Sequence, residues 1–273
     1  MTAQPVVTTA DPFTDFKAKQ RQAWSHFAPL EAITTIPAAR LVAFTGIRAG
    51  DRVLDVGCGT GVAAITARRM GAKVTGLDLT PELLTRAKEN ATIAGFPDMQ
   101  WKEGDAEALP FTDGEFDAVI SQYGHMFAPR PDVTAREMLR VLKPGGRIAF
   151  STWPPELALG RLFALTGKYL PAPPGVTPPG AWGEPAFVRE RLGDRVRDVA
   201  FDSGTMKVPA LSLAHYRTNM ELTAGPVIRI VQALQSDAAK LAAFRSEVET
   251  TIAPFFHDNT VHQGFLMSRA TKV

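Results

Sequence analysis

Apolar and polar positions change their period several times along this chain, and those changes predict its elements. Residues 11–27 carry Phe13, Phe16, Trp24 and Phe27 in a charged, helix-like stretch. Residues 32–45 place Ile33, Ile36, Ala39, Leu41 and Phe44 at roughly helical spacing, which predicts a second helix. Strands are then predicted over 52–56, 73–78, 99–103, 116–121 and 146–152, with helices over 62–70, 81–94 and 133–142 between them. Pro81 sits where the first turn of a helix tolerates proline, with Thr80 as its cap and Glu82 in the electropositive first turn. Lys143, Pro144, Gly145 and Gly146 end a helix and lead into the next strand. Such alternation argues for an α/β, doubly wound, mostly parallel sheet that takes its ligand outside the carboxyl ends of the strands.

After Thr152 the pattern breaks. Pro154, Pro155 and the proline- and glycine-rich run over 171–180, continued by Trp182, Gly183, Glu184 and Pro185, predict a loop-rich insertion. Its apolar residues Leu157, Leu159, Leu162, Phe163 and Leu165 read either as a helical lid over an apolar substrate or as packing on the sheet edge. A strand over 196–208, helices over 211–223, 226–234 and 237–252, and a last strand over 261–270 complete the pattern, with no internal repeat. The expected organisation is one domain over residues 1–273: a helical cover (1–46), a cofactor-binding core (47–153), and the lid, substrate-side helices and terminal strands (154–273).

At 45% hydrophobic, 273 residues easily supply a core. The net charge is only +2 and the basic residues are dispersed, so no nucleic-acid partner is implied. Residues 1–12 lack a basic start followed by an apolar core, and no apolar run nears the roughly 20 residues that span a bilayer. The expected location is the cytoplasm. Cys58 is the one cysteine, which precludes an internal disulfide and a cysteine metal cluster. No histidine and carboxylate set has ligand spacing, so no metal is expected.

The strongest chemical signal is at residues 53–61, where a short apolar run enters Gly57, Cys58, Gly59, Thr60 and Gly61. Glycines at alternate positions permit a tight turn with positive φ and let a ligand lie against the main chain. A dinucleotide loop would want a third small residue where Val62 stands, and Asp55 would repel a diphosphate but suits a ligand carrying positive charge, a sulfonium or an ammonium. Within this loop Cys58 reads as a small side chain packed in the turn. Asp78 closes the second predicted strand about 20 residues beyond the first glycine, where a carboxylate accepts hydrogen bonds from both ribose hydroxyls of an adenosine. Leu79 offers the adenine an apolar face, and Asp105 with Ala106 offers its edge a carboxylate and a backbone amide. Trp24 or Phe27 reads either as core or as a roof over the cofactor.

The set formed by residues 53–61, 76–79, 104–111, 116–119 and 139–146 resembles the class I S-adenosylmethionine-dependent methyltransferases, in the small-molecule group similar to the ubiquinone/menaquinone C-methyltransferases. The resemblance covers roughly residues 23–152 and fades beyond Trp153. It implies a Rossmann-like, seven-stranded sheet with one antiparallel strand. It also implies that the glycine loop receives the methionine part of S-adenosylmethionine, Asp78 the ribose, and Asp105 and Ala106 the adenine, with Glu107 beside them. Ser121 and Gln122 then contact the methionine part, and His125 is the candidate general base. Residues 121–127 lack the Pro-Pro-Tyr type of segment of DNA amino-methyltransferases, which disfavours chemistry on exocyclic amines of bases.

The function expected is transfer of a methyl group to a small, partly apolar or aromatic metabolite, leaving S-adenosylhomocysteine and assisted mainly by positioning. Two alternatives stay open at this level: a non-catalytic S-adenosylmethionine-binding sensor or scaffold, and a nicotinamide-dependent oxidoreductase, against which Val62 and Asp55 speak. The acceptor atom and the choice between monomer and homodimer are not written in the sequence.

Overall fold

The structure, a computed structural model, describes residues 11–273. The reading of residues 1–12 as free of a targeting segment therefore falls almost wholly outside the described residues. A helix α1 (Thr14–Trp24) and, after a short 3-10 turn, α2 (Glu31–Thr45) precede the sheet. Gly46 ends α2 in the left-handed conformation, φ 70°, where a Cβ would be disfavoured. Strand and helix then alternate as β1 (Arg52–Val56), α3 (Val62–Arg69), β2 (Lys73–Asp78), α4 (Pro81–Ile93), β3 (Gln100–Glu103), β4 (Phe116–Gln122), α5 (Pro131–Arg140) and β5 (Leu142–Thr152). The second half holds α6 (Ala158–Tyr169), α7 (Pro185–Leu192), β6 (Val196–Pro209), α8 (Leu213–Thr223), α9 (Gly225–Leu234), α10 (Ala238–Ile252), β7 (Phe256–His257) and β8 (Thr260–Lys272).

The strands lie in the order β3-β2-β1-β4-β5-β8-β6, with the two-residue β7 paired to β8. β8 runs antiparallel to β5, β6 and β7, and the other pairings are parallel, so the seven-stranded path has one reversed strand. From β1 the chain winds outward to β2 and β3, then returns to place β4 on the other side of β1. The carboxyl ends of β1 and β4 are thus a topological switch point, where an open α/β sheet forms its crevice. Alternate residues of the central strands feed separate cores. Val53, Ala118 and Ile120 join the alanine-rich α3 and part of α2, whereas Leu54, Val56 and Val119 join α5 and the second-half helices.

The insertion after Thr152 holds the expected helices: α6 carries Leu159, Leu162 and Leu165 along its buried face, and α7 follows the second proline cluster. The structure departs from the sequence reading after α5. Residues 143–146 do not end a helix: α5 stops at Arg140, Leu142 already pairs with Phe116, and the proline and glycines form an irregularity between that pair and Ala118 with Arg147. β7 joins β8 through a tight turn at Asp258 and Asn259, both at positive φ. The second-half helices meet α1 where Gly225 opens α9: a Cβ there would lie 2.5 Å from the Ala23 carbonyl oxygen. Among the described residues no single helix is long and apolar enough to cross a membrane.

Candidate active site

A cleft of about 850 Å³, including its open mouth, lies over the carboxyl ends of β1, β2 and β4. Its floor is the loop between β1 and α3. The Gly57 and Cys58 amides both donate to the Leu77 carbonyl, at 2.8 and 3.0 Å, which fastens the loop to the next strand. Gly59 lines the cleft at φ 53°, and a Cβ on it would meet nothing within 4 Å, so the main chain is bare to whatever fills the space. The Gly59 amide donates to Asp78 Oδ2 at 2.8 Å, and the Thr80 amide donates to Oδ1 at 2.8 Å. Asp78 lines the cleft with further lone pairs to give, and burial pushes its carboxyl up although these amides oppose the shift. Leu79, Asp105, Ala106, Gln122 and Trp24 also line the cleft.

Asp55 and Cys58 line a narrower recess that shares Gly57 and Gly59 with the cleft. Neither Asp55 oxygen has a hydrogen-bond partner among the described residues, and the side chain is 1% exposed. Burial, with the neighbouring Asp78 charge, pushes its carboxyl up to about 7, and the nearby Ala64 amide, too poorly placed for a full hydrogen bond, opposes the shift only in part. Burial likewise pushes the Cys58 thiol up, so it stays protonated and packs.

Four of the expected site residues are placed elsewhere. Gly61 opens α3 at φ 83°, and a Cβ there would fall 2.6 Å from the Trp101 ring; the glycine serves packing under the loop and lines neither space. Glu107 is buried in an ion-pair cluster rather than facing the cleft, with Lys17 Nζ at 2.6 Å and Arg130 Nη2 at 2.7 Å. Ser121 is fully buried; its hydroxyl donates to the Val56 carbonyl at 2.6 Å and accepts from the His125 amide at 3.0 Å, pinning the end of β4 to β1. The His125 ring is also fully buried, between Phe150 (4.4 Å between centroids) and Trp182 (4.7 Å), with no partner for either nitrogen among the described residues. Burial holds it down at about 3 and therefore neutral, so the expectation of a general base at His125 is corrected: it is a core side chain.

The sequence reading missed much of the roof. Lys17, Gln20 and Trp24 of α1 line the cleft at i, i+3 and i+7, one face of the helix; the spacing was legible, but a lysine and a glutamine did not register as a stripe. Lys17 Nζ sits 2.5 Å from Asp11, 2.6 Å from Asp105 and 2.6 Å from Glu107. These three carboxylates have the spacing of a metal-ligand set, and the ammonium fills its centre. Burial alone would pull Lys17 down, but Asp105, Asp11 and Glu107 hold its ammonium above the ordinary value. Tyr123, Gly124, Phe127 and Trp153 complete the walls, with Tyr123 held at φ 63° and stacked on Trp153 at 4.1 Å.

Trp24, Phe27 and Trp153 also line a second chamber of about 680 Å³, bounded by α6, β6, α9 and β8. The cleft is rimmed by polar and charged groups, whereas this chamber is walled by aromatic and aliphatic side chains such as Ile33, Leu162, Phe163, Met206 and Val227. The arrangement can hold a polar, adenosine-sized ligand beside an apolar one, with three aromatic rings at the junction.

Similarity to known proteins agrees with this geometry. A family profile described as a methyltransferase domain matches residues 54–150. An uncharacterised protein of Mycobacterium tuberculosis (strain ATCC 25618 / H37Rv) is 38% identical over 234 residues, covering 85% of each chain. The 2-phytyl-1,4-naphtoquinone methyltransferase of Synechocystis sp. is 42% identical over 116 residues, 41% of this chain and 48% of its own. Among solved structures, the protein BH2331 from Bacillus halodurans C-125 aligns with a TM-score of 0.59 over 86% of this chain and 98% of its own; at 20% identity this likeness speaks to the fold. The chain belongs to the S-adenosylmethionine-dependent methyltransferases, and it is an enzyme of that family.

Proposed function

We propose that this methyltransferase acts on a small, apolar or aromatic metabolite seated in the second chamber, with S-adenosylmethionine in the cleft. The observation that carries the reading is the shared wall: Trp24, Phe27 and Trp153 border both spaces, so the two adjoin at one set of aromatic rings. The cleft fits the methyl donor on three counts. Gly59 leaves the main chain bare, Asp78 has lone pairs for two ribose hydroxyls, and the two partnerless oxygens of Asp55 suit the ammonium of a methionine moiety. Leu79 and Ala106 would flank the adenine, with Asp105 at its edge and Gln122 near the methionine part. S-adenosylmethionine, when bound, supplies an electrophilic methyl carbon on a sulfonium.

The chain's own contribution is positioning and exclusion of water. The aromatic junction orients the acceptor and dries the approach, which strengthens attraction between an electron-rich acceptor atom and the positive centre. His125 is too enclosed to take a proton, so the acceptor's nucleophilic atom must be reactive as bound or lose its proton to solvent. The partly matching relative that is named for a naphthoquinone substrate supports an aromatic acceptor here.

Titration calorimetry with S-adenosylmethionine, S-adenosylhomocysteine and NAD tests the donor, and product formation across a panel of neutral phenols and quinols tests the reaction. Asp78→Ala should weaken S-adenosylhomocysteine binding by about 1–3 kcal/mol. Binding of NAD with no response to S-adenosylmethionine would sink the reading.

A further inference from the structure

The second chamber holds few side chains able to recognise a polar group: the indole N–H groups of Trp24 and Trp153 at the aromatic junction, and below it Thr34, Thr166 and Gln263. Among its lining residues none is ionisable. A carboxylate or ammonium brought there would lose its water with no opposite charge to meet it, which is prohibitive unless the group neutralises. Thr34 and Thr166 donate their hydroxyls within their own helices, to the Glu31 and Phe163 carbonyls, and are left able only to accept.

Gln263 differs. β8 buries Val261, Gln263, Phe265 and Met267 at alternate positions, so an amide interrupts an otherwise apolar stripe. Its Nε2 donates to the Tyr216 hydroxyl at 2.7 Å, and Tyr216 is itself 1% exposed. Burial pushes the Tyr216 phenol up, so the pair carries no charge. The tyrosine engages one side of the amide; among the described residues the other side has no partner. Gln263 lines the second chamber and not the cofactor cleft, while the junction with the cleft is made by Trp24, Phe27 and Trp153.

We infer that Gln263 is a specificity anchor. It selects an uncharged acceptor whose hydroxyl donates to the amide oxygen at the end remote from the atom that is methylated. Tyr216 orients the amide, the junction orients the reacting end, and the apolar wall between them excludes charged analogues. The inference rests on the reading of the second chamber as the acceptor site.

The test uses the full chain, with and without saturating S-adenosylhomocysteine, and three probes of one skeleton in titration calorimetry: naphthalene-2,6-diol, 2-naphthol and 6-hydroxy-2-naphthoate. The diol should bind about 5–10-fold more tightly than 2-naphthol, the gain of one neutral hydrogen bond, and the naphthoate at least about tenfold more weakly than the diol. Gln263→Leu should bring the diol down to the level of 2-naphthol while leaving 2-naphthol and S-adenosylhomocysteine unaffected. Equal binding of diol and 2-naphthol to the wild-type chain, binding of the naphthoate as tight as the diol, a diol preference that survives Gln263→Leu, or no binding of any probe would each overturn the inference. The wild-type comparison needs no variant, so it decides even if Gln263→Leu does not fold. A chain that binds the diol selectively but ignores S-adenosylhomocysteine would instead refute the methyl-donor reading and leave the anchor standing.

Discussion

Gly57 and Gly124 lie back to back: a Cβ on Gly124 would fall 2.4 Å from the Gly57 carbonyl oxygen, and one on Gly57 would fall 2.7 Å from Gly124 Cα. The loop that floors the cleft and the segment that leaves β4 thus approach at a distance only two glycines allow. Gly124 sits at φ −77°, comfortable for any residue, so steric contact with the loop is what demands glycine there. Gly124→Ala should displace residues 57–59, cost about 1–3 kcal/mol in unfolding free energy, and weaken S-adenosylhomocysteine binding at least about tenfold. Calorimetry and denaturant melts on the same preparation check both. Unchanged affinity would mean that the loop yields without consequence for the cleft.

Asp55 gives a prediction about protons. Its carboxyl, up at about 7 against an ordinary 3.8, binds a proton more readily folded than unfolded. Its contribution to stability is therefore fully present below about pH 4 and lost as pH rises through about 7. Asp55→Asn should remove this loss and stabilise the ligand-free protein at pH 8 by on the order of 2–4 kcal/mol. An ammonium seated against Asp55 requires the ionised form, so S-adenosylmethionine binding at pH 6 should release a proton, and affinity should climb until pH passes about 7. Calorimetry in two buffers of different ionisation enthalpy measures that release; none at pH 6 would place the ammonium elsewhere.

Lys17 is the clasp of α1. It bridges Asp11, Asp105 and Glu107, while the same helix presents Gln20 and Trp24 to the cleft. Lys17→Met leaves Glu107 with Arg130 and Asp105 with the Glu107 amide alone, and losing this partly exposed cluster should cost about 1–3 kcal/mol. The loss should concentrate on α1, seen as early proteolysis after Arg21 and as weaker S-adenosylhomocysteine binding, with the sheet's unfolding transition retained. If α1 stays protected, its seat depends on Gly225 and the apolar contacts with α9 instead.

What the sequence disclosed follows from how local each constraint is. Gly59, Asp78 and the β1 turn are legible because backbone geometry and a carboxylate at a strand end are properties of a few consecutive residues. The doubly wound, mostly parallel class of the sheet was legible because strand and helix alternate along the chain, whereas the order of the strands was not. The roof and the second chamber were not, because Lys17, Trp153, Met206 and Gln263 come from segments brought together only by the final packing. Ser121, Glu107 and His125 were misplaced for a related reason: proximity in sequence to the site says nothing about which way a side chain turns. Ser121 and His125 are consumed by β1 and the core, and Glu107 by Lys17 and Arg130.

His125 carries the sharpest contrast between a chemical and a packing role. Its ring is fully buried against Phe150 and Trp182, neither nitrogen has a partner among the described residues, and burial lowers its pKa from 6.5 to about 3. A depressed folded pKa means that the neutral ring's contribution is present above about pH 6.5 and lost as pH falls toward 3. Between pH 7.5 and 4.5 the wild-type protein should lose on the order of 2–3 kcal/mol from this residue alone. His125→Phe keeps an aromatic ring, removes both partnerless nitrogens and should abolish that portion of the loss, measured as the difference between wild-type and variant denaturation midpoints at the two pH values. Turnover at pH 7.5 should stay within about twofold of wild type, whereas loss of a general base typically costs 10²–10⁴-fold. A fall of that size with the fold intact would restore His125 to the chemistry and require its ring to reach the junction in the working enzyme.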